Sequence, residues 1–516
     1  MSSTDLAAER RAAWNAVMTA SPGDLDLNIS AGEIEGSIPS ALFGGRILSN
    51  GPGWTAYDGW SVHPFDGHGY VRAFTFRPDG GVDLRARFVH TPVYRAEAAA
   101  GRMLHRGLAS NVGPHFWQNL GYGLPRNVAN TTIFRRGARL IAGWEGGAPY
   151  ALDASSLDTV GEETFGGVIA GQSTLAHMHP DAARDRLLLC SIANGPKVKL
   201  SFRELDAADQ LVSSRIVEVK GPLFAHDFAF TPSWYVVGGN PLKMKLGELL
   251  KMAVGASTLL NCLLPDDDAP GRFYLIPRDG DGPVRCVTLP GGAFVVHFGN
   301  AFERPDGAVL IDVCAFDTFR FGEEFGFTGP ATPFDPALPD QRAPQRLYRV
   351  EIPAGSDQAT WRPLVPHGVD FPRVHPRGEG TDVPVLYGAC RADAKRSDPF
   401  DAILRVDLRD LAADPQIWAP EGPNLFVGEP LFVPARPDPD TVEGHVVALV
   451  SDGVARRTRL VVLDATAIHA GPIATVSMPL LPVAFHGDWD GAMGQRGRAP
   501  GGLTGSRHTR TEQVSG

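Results

Sequence analysis

From about residue 70 onwards, the chain is a succession of short apolar runs that glycine, proline and aspartate interrupt. Such runs, rich in β-branched and aromatic residues, predict strands rather than helices. The 59 glycines and 43 prolines supply many turns, so we expect an all-β barrel, sandwich or propeller. Clear examples of predicted strands are residues 186–192, 214–219, 234–237, 272–276, 308–313, 346–352, 402–406, 445–450 and 459–463.

Composition excludes several classes of protein. Lys and Arg number 48 against 58 Asp and Glu, a formal charge of −10 without a basic stripe, so nucleic acid is not an expected partner. The five scattered cysteines form no Cys-x-x-Cys pair, which argues against a disulfide framework or a zinc cluster. Neither a signal peptide nor a run of ~20 apolar residues is present. We expect a cytoplasmic monomer, at most peripherally membrane-associated.

His226 lies in a strand-like run over residues 221–232. On one predicted face it is in register with three phenylalanines, Phe224, Phe228 and Phe230. A histidine on such a face points inward, where its nitrogens need partners. It is either a core histidine bonded to a carbonyl or a metal ligand, and recurrence of similar histidines favours the ligand.

Three similar histidines do recur. His177 lies in residues 174–181, His297 in 294–303 and His486 in 482–489. No two of the four form a His-x-x-x-His pair on a helix, so the fold has to bring four separated strand ends to one point. Four neutral imidazoles suit a divalent first-row metal.

Further motifs follow one another along nearly the whole chain: Gly36-Ser37-Ile38-Pro39, Asn50-Gly51-Pro52, His63-Pro64-Phe65-Asp66-Gly67-His68-Gly69, Arg87-Phe88-Val89-His90-Thr91, Asn127-Val128-Ala129-Asn130-Thr131, Trp144-Glu145-Gly146-Gly147, Asp370-Phe371-Pro372-Arg373 and Gly428-Glu429-Pro430-Leu431. With the histidine stretches, they resemble the carotenoid cleavage oxygenases, iron-dependent enzymes that split a carbon–carbon double bond with dioxygen. The resemblance implies a seven-bladed β-propeller with a helical and loop cap over its metal-bearing face. A propeller brings inner strands of different blades to one axis, as the four histidines require.

The resemblance also implies the cofactor and its surroundings. One Fe(II) per chain binds His177, His226, His297 and His486, and O2 is the co-substrate. Redox-inert zinc could not activate dioxygen. Three carboxylates, Glu145, Asp370 and Glu429, would accept the second N–H of metal-bound histidines. The family usually has Glu at the position of Asp370, so we expect its contact to be longer or to require a water. No general acid or base is expected beyond the metal centre.

The first ligand leaves two alternatives open. The family usually reads Ala-His-Pro, whereas this chain reads Ala176-His177-Met178-His179-Pro180-Asp181. The spacing to Asp181 favours His177, and the neighbouring Pro180 favours His179. Residues two apart share a strand face, and only one imidazole can occupy the position. We favour His177.

The expected substrate is inferred from positions at which this chain differs from a branch of the family. In the stilbene-cleaving branch, a lysine that binds a phenol oxygen stands where this chain has Trp144. That branch also has a tyrosine soon after the stretch corresponding to residues 102–107, and this chain lacks it. Trp144 is therefore expected to line an apolar tunnel for a carotenoid or apocarotenoid. A stilbene or phenylpropene is the alternative substrate, and a retinoid isomerase or a non-catalytic propeller is a weaker one.

The segment over residues 242–264 breaks the β pattern, because its leucines recur at helical spacing. It is either a helix packed over the propeller or an apolar lip that contacts a membrane. Residues 321–345 are expected to form a long loop over the active face. We divide the chain into an N-terminal helix (4–20) and lead-in over 1–30, a propeller oxygenase domain over 31–493, and a disordered tail over 494–516.

Overall fold

The computed structural model describes residues 3–57, 60–113, 115–120, 126–195, 197–266, 268–291, 293–316, 345–395 and 399–491. In these residues the strands form seven antiparallel blades around one axis, two of which share a long strand. The all-β fold and the seven-bladed propeller are therefore confirmed.

Each blade is given from its innermost strand outward. The strands of blade 1 are Gly487–Asp490, Arg46–Ser49, His68–Phe76, Val82–Phe88 and Leu25–Ile29; of blade 2, Thr132–Arg136, Arg139–Gly143, Tyr150–Asp153 and Thr159–Glu162; of blade 3, His179–Asp181, Arg186–Ala193, Val198–Leu205 and Leu211–Val219; of blade 4, Ala229–Phe230, Trp234–Gly239, Arg272–Pro277 and Arg285–Thr288.

The remaining blades follow the same order. The strands of blade 5 are Phe294–Glu303, Val309–Phe316, Arg346–Ile352 and Thr360–Arg373. Blade 6 begins with the end of Thr360–Arg373 and continues with Val385–Cys390, Ala402–Asp407 and Gln416–Trp418. Blade 7 has Leu431–Pro434 and Leu425–Val427 innermost, both paired with Gly444–Asp452, followed by Arg457–Asp464, Pro472–Pro479 and Glu35–Gly36.

Smaller elements lie outside this pattern. Pro52–Gly53 pairs with a strand of blade 1. Two short hairpins are Ala56–Tyr57 with Trp60–Ser61, and Leu242–Met244 with Leu263–Pro265. The α-helices of the described residues are Ser3–Met18, Pro92–Ala100 and Leu246–Ala253. Short 3-10 turns are Ala31–Glu33, Ser40–Leu42, Pro64–Asp66, Phe116–Asn119, Leu260–Cys262 and Ile468–Ala470.

Both ends of the chain close the ring. The innermost strand of blade 1, Gly487–Asp490, comes from the C-terminal side and pairs with Arg46–Ser49. The outermost strand of blade 7, Glu35–Gly36, comes from the N-terminal side. Pairing distant strands across the seam leaves no gap between the first and last blades, and it holds every inner strand around the axis.

The N-terminal helix packs on the propeller. Its Ala13, Trp14 and Val17 are buried in one cluster with Phe426 and Leu480. The next strand, Leu25–Ile29, pairs with Val82–Phe88, so blade 1 includes residues before position 31. No helix of the described ranges is long and apolar enough to cross a bilayer. The predicted tail over 494–516, and the predicted loop up to residue 344, lie outside the described residues.

Two predicted elements differ from the structure. The strand predicted over 221–232 is wrong in extent, because only Ala229–Phe230 forms a strand. The N–H of Phe228 bonds to the carboxylate of Asp227 instead of joining a ladder, and Pro222 has no N–H to donate. The expected single face of phenylalanines is also wrong: Phe224 borders one cavity, while Phe228 and Phe230 border another.

The helix predicted within 242–264 is limited to Leu246–Ala253. It ends before Gly255, whose φ of +77° is a left-handed conformation that favours glycine. None of the helix's residues is buried. Its Leu249 and Met252 are half-buried, whereas Leu246 and Leu250 are exposed, so the packed helix and the membrane-contacting lip both stay predictions.

Candidate active site

Four histidines from four blades meet at the propeller axis. His486 precedes the inner strand of blade 1, His177 that of blade 3 and His226 that of blade 4, while His297 lies within the inner strand of blade 5. One nitrogen of each lies within 4.8 Å of the corresponding nitrogen of all the others. The structure thus brings together the histidines that sequence analysis selected.

The four rings form a closed cycle. Neighbouring ring centroids are 4.8 Å (His177–His226), 4.8 Å (His226–His297), 4.9 Å (His297–His486) and 4.3 Å (His486–His177) apart, and the diagonals are 5.6 and 5.7 Å. Nε2 of His177 lies 3.1 Å from Nε2 of His226 and 3.3 Å from that of His486. The Nε2 atoms of His297 and His486 are 3.2 Å apart. All four Nε2 atoms therefore face a common centre.

The other three blades each contribute a carboxylate. Glu145 of blade 2 accepts the Nδ1–H of His226. Asp370 of blade 6 accepts that of His297 at 2.6 Å, and Glu429 of blade 7 accepts that of His486 at 2.9 Å. A proton on Nδ1 leaves the Nε2 lone pair free, so these contacts fix the tautomer as well as the ring orientation.

Asp370 corrects one expectation. Its shorter side chain reaches His297 directly, so neither a longer contact nor a bridging water is needed. The strand that carries it shifts register between Asp370 and Arg373, and Phe371 adopts a φ of +52°. This irregularity changes the course of the backbone beside His297.

His179 has a different environment from His177. Its two ring nitrogens lie 2.9 Å from Asp227 and 2.9 Å from Glu379. Burial alone would lower the pKa of His179, but Glu379 and Asp227 raise it to about 10. Nδ1 of His177, by contrast, is 4.0 Å from Asp227, too far for a hydrogen bond. The structure therefore places His177, and not His179, in the cluster.

Electrostatics favour neutral imidazoles beside ionised carboxylates. Burial lowers the pKa of His486 to about 4, and burial with the neighbouring imidazoles lowers that of His177 well below its usual value. Burial would raise the pKa of Glu429, yet Arg373 and His486 lower it to about 2. His297 is the exception, because burial lowers its pKa but Asp370 raises that pKa by more. A neutral imidazole is the form that binds a metal.

An apolar cavity borders the histidines. It encloses about 1530 Å³, including its opening to solvent. Trp144 is buried in its wall, where sequence analysis expects it. Other apolar lining residues are Phe65, Leu108, Phe224, Leu260, Val296 and Phe371.

A second, polar cavity of about 510 Å³ borders the same cluster through His177, His297 and His486. It is lined by His179, Asp227 and Glu379, and also by Arg373. Sequence analysis missed its acidic residues. Asp227 could have been selected from the sequence, because a carboxylate directly after His226 in an apolar run needs a buried partner. Glu379 lies between strands in a polar stretch, and nothing in its sequence surroundings marks it.

The chain is similar to several known proteins. The family model described as Retinal pigment epithelial membrane protein matches residues 23–490. An apocarotenoid-15,15'-oxygenase of Synechocystis sp. is 33% identical over 467 residues, 89% of this chain and 92% of that protein. An isoeugenol monooxygenase of Pseudomonas putida is 28% identical over 491 residues, 91% of this chain and 96% of that protein.

Solved structures show the same relationship. A mutant of Synechocystis apocarotenoid oxygenase (ACO) matches with a TM-score of 0.85 at 30% identity, over 93% of this chain and 99% of that one. A cobalt-substituted Synechocystis ACO has the same values.

The propeller, its histidine cluster and these relatives define the class as an oxygenase. The chain belongs to the carotenoid cleavage oxygenase family, as its motifs indicated, and it is an enzyme with a cleaving activity that uses oxygen.

Proposed function

We propose that this enzyme is a non-haem Fe(II) dioxygenase that cleaves a C=C double bond of a carotenoid or apocarotenoid with O2, giving two carbonyl products. The proposal rests mainly on the Nε2 lone pairs of the histidine cluster, which face one another. Because His226, His297 and His486 donate their Nδ1–H groups to carboxylates, their Nε2 atoms have no proton to share at separations of 3.1–3.3 Å within the cluster. A cation between them removes that repulsion.

The donor set fits ferrous iron. Imidazole suits divalent iron, and none of the four ligand candidates has a cysteine as its sequence neighbour. Zinc would fit the same nitrogens, but it is redox-inert and would not activate dioxygen. When bound, ferrous iron supplies the activation of dioxygen.

The chain's own residues hold and shield the reaction. His177, His226, His297 and His486 would bind the ion, while Glu145, Asp370 and Glu429 fix three of the rings. Since these carboxylates are engaged by imidazoles, none is assigned a proton transfer to substrate. The apolar cavity positions the alkene and excludes water.

The cavity supports a polyene substrate. Its lining is mostly aromatic and aliphatic, which suits an apolar ligand, and its wall beside Glu145 is the indole of Trp144 rather than a cation. The second candidate function is cleavage of a stilbene or phenylpropene, which the similarity to isoeugenol monooxygenases favours. A retinoid isomerase and a non-catalytic propeller are weaker alternatives.

We also propose that the enzyme contacts a membrane peripherally through an exposed apolar lip, composed of Phe116, Trp117, Leu120, Met244, Leu246, Leu250 and Val254. Leu246 and Leu250 are 71% and 66% exposed. The two parts of the lip touch, because Asn119 donates to the carbonyl of Gly255 at 3.0 Å. Nearby, Leu260 donates its N–H to Leu108, and both line the apolar cavity. The lip therefore adjoins a wall of the cavity that takes the lipophilic substrate.

Product analysis tests the proposed reaction. Iron-loaded enzyme is incubated with a carotenoid, an apocarotenoid, a stilbene and isoeugenol, and products are identified by mass spectrometry. Two carbonyl products from a polyene support the proposal. An aromatic aldehyde as the only product supports the second candidate, and an isomer of unchanged mass supports the isomerase.

A ligand variant tests the site independently. His226→Ala is expected to lose bound iron and turnover together, whereas the control His469→Ala, at a hydrogen-bonded surface position, keeps both. Full turnover by an iron-loaded His226→Ala enzyme would contradict the ligand assignment.

A further inference from the structure

Several polar side chains line the large cavity, and two of them, Gln345 and Arg391, lie close together. Gln345 and Arg391 line it, and they are only 3% and 6% exposed. A buried carboxamide is costly unless its N–H groups are hydrogen-bonded, and the Arg391 guanidinium adds a positive charge to the same part of the wall.

Gln345 gives the clearest sign of a missing partner. Its side-chain Nε2 is buried without a hydrogen-bond partner. Unsatisfied buried amides are uncommon in folded proteins, and each calls for a specific explanation. Because Gln345 lines the cavity, a ligand there can accept its N–H.

The backbone brings Gln345 and Arg391 to the same place. The carbonyl of Gln345 accepts the N–H of Val369 at 3.0 Å, and the N–H of Arg391 donates to the carbonyl of Gly368 at 3.0 Å. A Cβ on Gly368 would lie 2.5 Å from Nη1 of Arg391. Glycine at this position therefore leaves the space that the guanidinium occupies.

Aromatic rings connect this place to the metal centre. The guanidinium of Arg391 lies 4.8 Å from the ring centre of Phe400. The Phe400 ring is 6.0 Å from that of Phe371, which is 5.4 Å from the ring of His486. The rings of Phe400, Phe371 and His486 all border the cavity. A polyene beside the histidines could therefore extend along Phe371 and Phe400 to Arg391.

We propose that Gln345 and Arg391 form a polar subsite that binds an acceptor oxygen at one end of the substrate. Both side chains offer N–H donors, and the guanidinium adds a positive charge, which suits a carbonyl or carboxylate oxygen. The inference depends on the proposed function and narrows it: the substrate is an apocarotenoid with an oxygenated end rather than a hydrocarbon carotene. Anchoring one end at a fixed distance from the histidines selects the double bond that is cleaved.

Anaerobic binding tests the subsite without turnover. Full-length, iron-loaded enzyme is titrated in one detergent with an apocarotenal, the corresponding apocarotenoic acid and a hydrocarbon polyene of similar length, followed by tryptophan quenching. Wild type is expected to bind the two oxygenated polyenes more tightly than the hydrocarbon. Arg391→Met and Gln345→Leu should weaken the oxygenated ligands roughly ten- to a hundredfold, with little change for the hydrocarbon.

Conservative variants and a matched control complete the test. Arg391→Lys keeps the charge and should retain part of the preference, and the hairpin control Arg304→Met should behave as wild type. Equal affinity of wild type for all three ligands, or equal weakening of all three by Arg391→Met, would overturn the subsite while leaving polyene cleavage standing. Binding of none of the polyenes by wild type would overturn the proposed function as well.

Discussion

At the scale of single residues, the axis of the propeller receives one functional side chain from each of the seven blades, four imidazoles and three carboxylates. His177 is the one imidazole of this set without a carboxylate on Nδ1 among the described residues, since Asp227 is 4.0 Å away. Asp227 instead bonds His179. His177 and His179 lie only two positions apart, and they therefore have different roles.

This separation predicts opposite outcomes for two matched variants. His177→Gln should lose most bound iron, because it removes one of four facing Nε2 atoms. His179→Gln should retain iron close to one per chain, because its ring nitrogens contact carboxylates instead. Metal analysis of both purified variants is the measurement. Iron loss in His179→Gln alone would show that the cluster has been assigned to the wrong histidine.

Residue identities at the site were largely predictable, but contacts were not. The four histidines could be selected because each lies in or beside an apolar stretch, although His177 had to be weighed against His179. The direct contact between Asp370 and His297 could not be predicted, because the strand shifts register there and Phe371 has a left-handed backbone. Gln345 and Arg391 gave no signal, since only the fold brings their sequence positions to either side of Gly368.

At the scale of elements, the strands were predictable from local pattern. The predicted run 346–352 matches Arg346–Ile352 in full. The segment 242–264 was harder, because leucines at helical spacing do not distinguish an eight-residue helix between hairpin strands from one long helix. The helix there has no fully buried residue, and its Leu246 and Leu250 are exposed. Its exposed leucines therefore need another explanation, which the proposed membrane lip gives.

The lip predicts a specific defect in membrane binding. Leu250→Glu should reduce binding to phospholipid vesicles severalfold, because it places a charge among apolar side chains that enter the interface. Co-sedimentation with vesicles measures the effect. Val454→Glu is the control, at an exposed apolar position outside the lip. Equal vesicle binding by wild type and both variants would contradict the proposed contact.

At the scale of the whole molecule, the propeller arrangement follows from long-range pairing that no local pattern encodes. Gly487–Asp490 pairs with Arg46–Ser49 across most of the chain. The sequence has no clear repeat period, so the seven blades were expected only through the family resemblance. The predictions of a monomer, of a cytoplasmic location and of no nucleic-acid partner stay predictions.

Buried histidines outside the active site predict loss of stability in acid. Burial lowers the pKa of His63 to about 3 and that of His68 to about 4, from 6.5. The unfolded chain therefore binds more protons than the folded one as pH falls below about 6.5, and the folded state loses stability between that value and pH 4. Urea unfolding should show a lower midpoint at pH 5 than at pH 7.

His63→Gln tests the origin of that pH dependence. The urea midpoint of the variant should fall less than that of wild type between pH 7 and pH 5, because one of the histidines with a lowered pKa is absent. An equal fall in both proteins would show that other groups account for the acid sensitivity.

The central claim is that four imidazoles from four blades bind one ferrous ion. X-ray absorption at the iron edge of the reconstituted enzyme, combined with metal analysis, tests it directly. The account predicts one iron per chain with a shell that includes four imidazole nitrogens in wild type. His226→Ala should bind much less iron, with fewer imidazole nitrogens around any iron that remains. A sulfur-containing shell, or an imidazole count unchanged in His226→Ala, would contradict it.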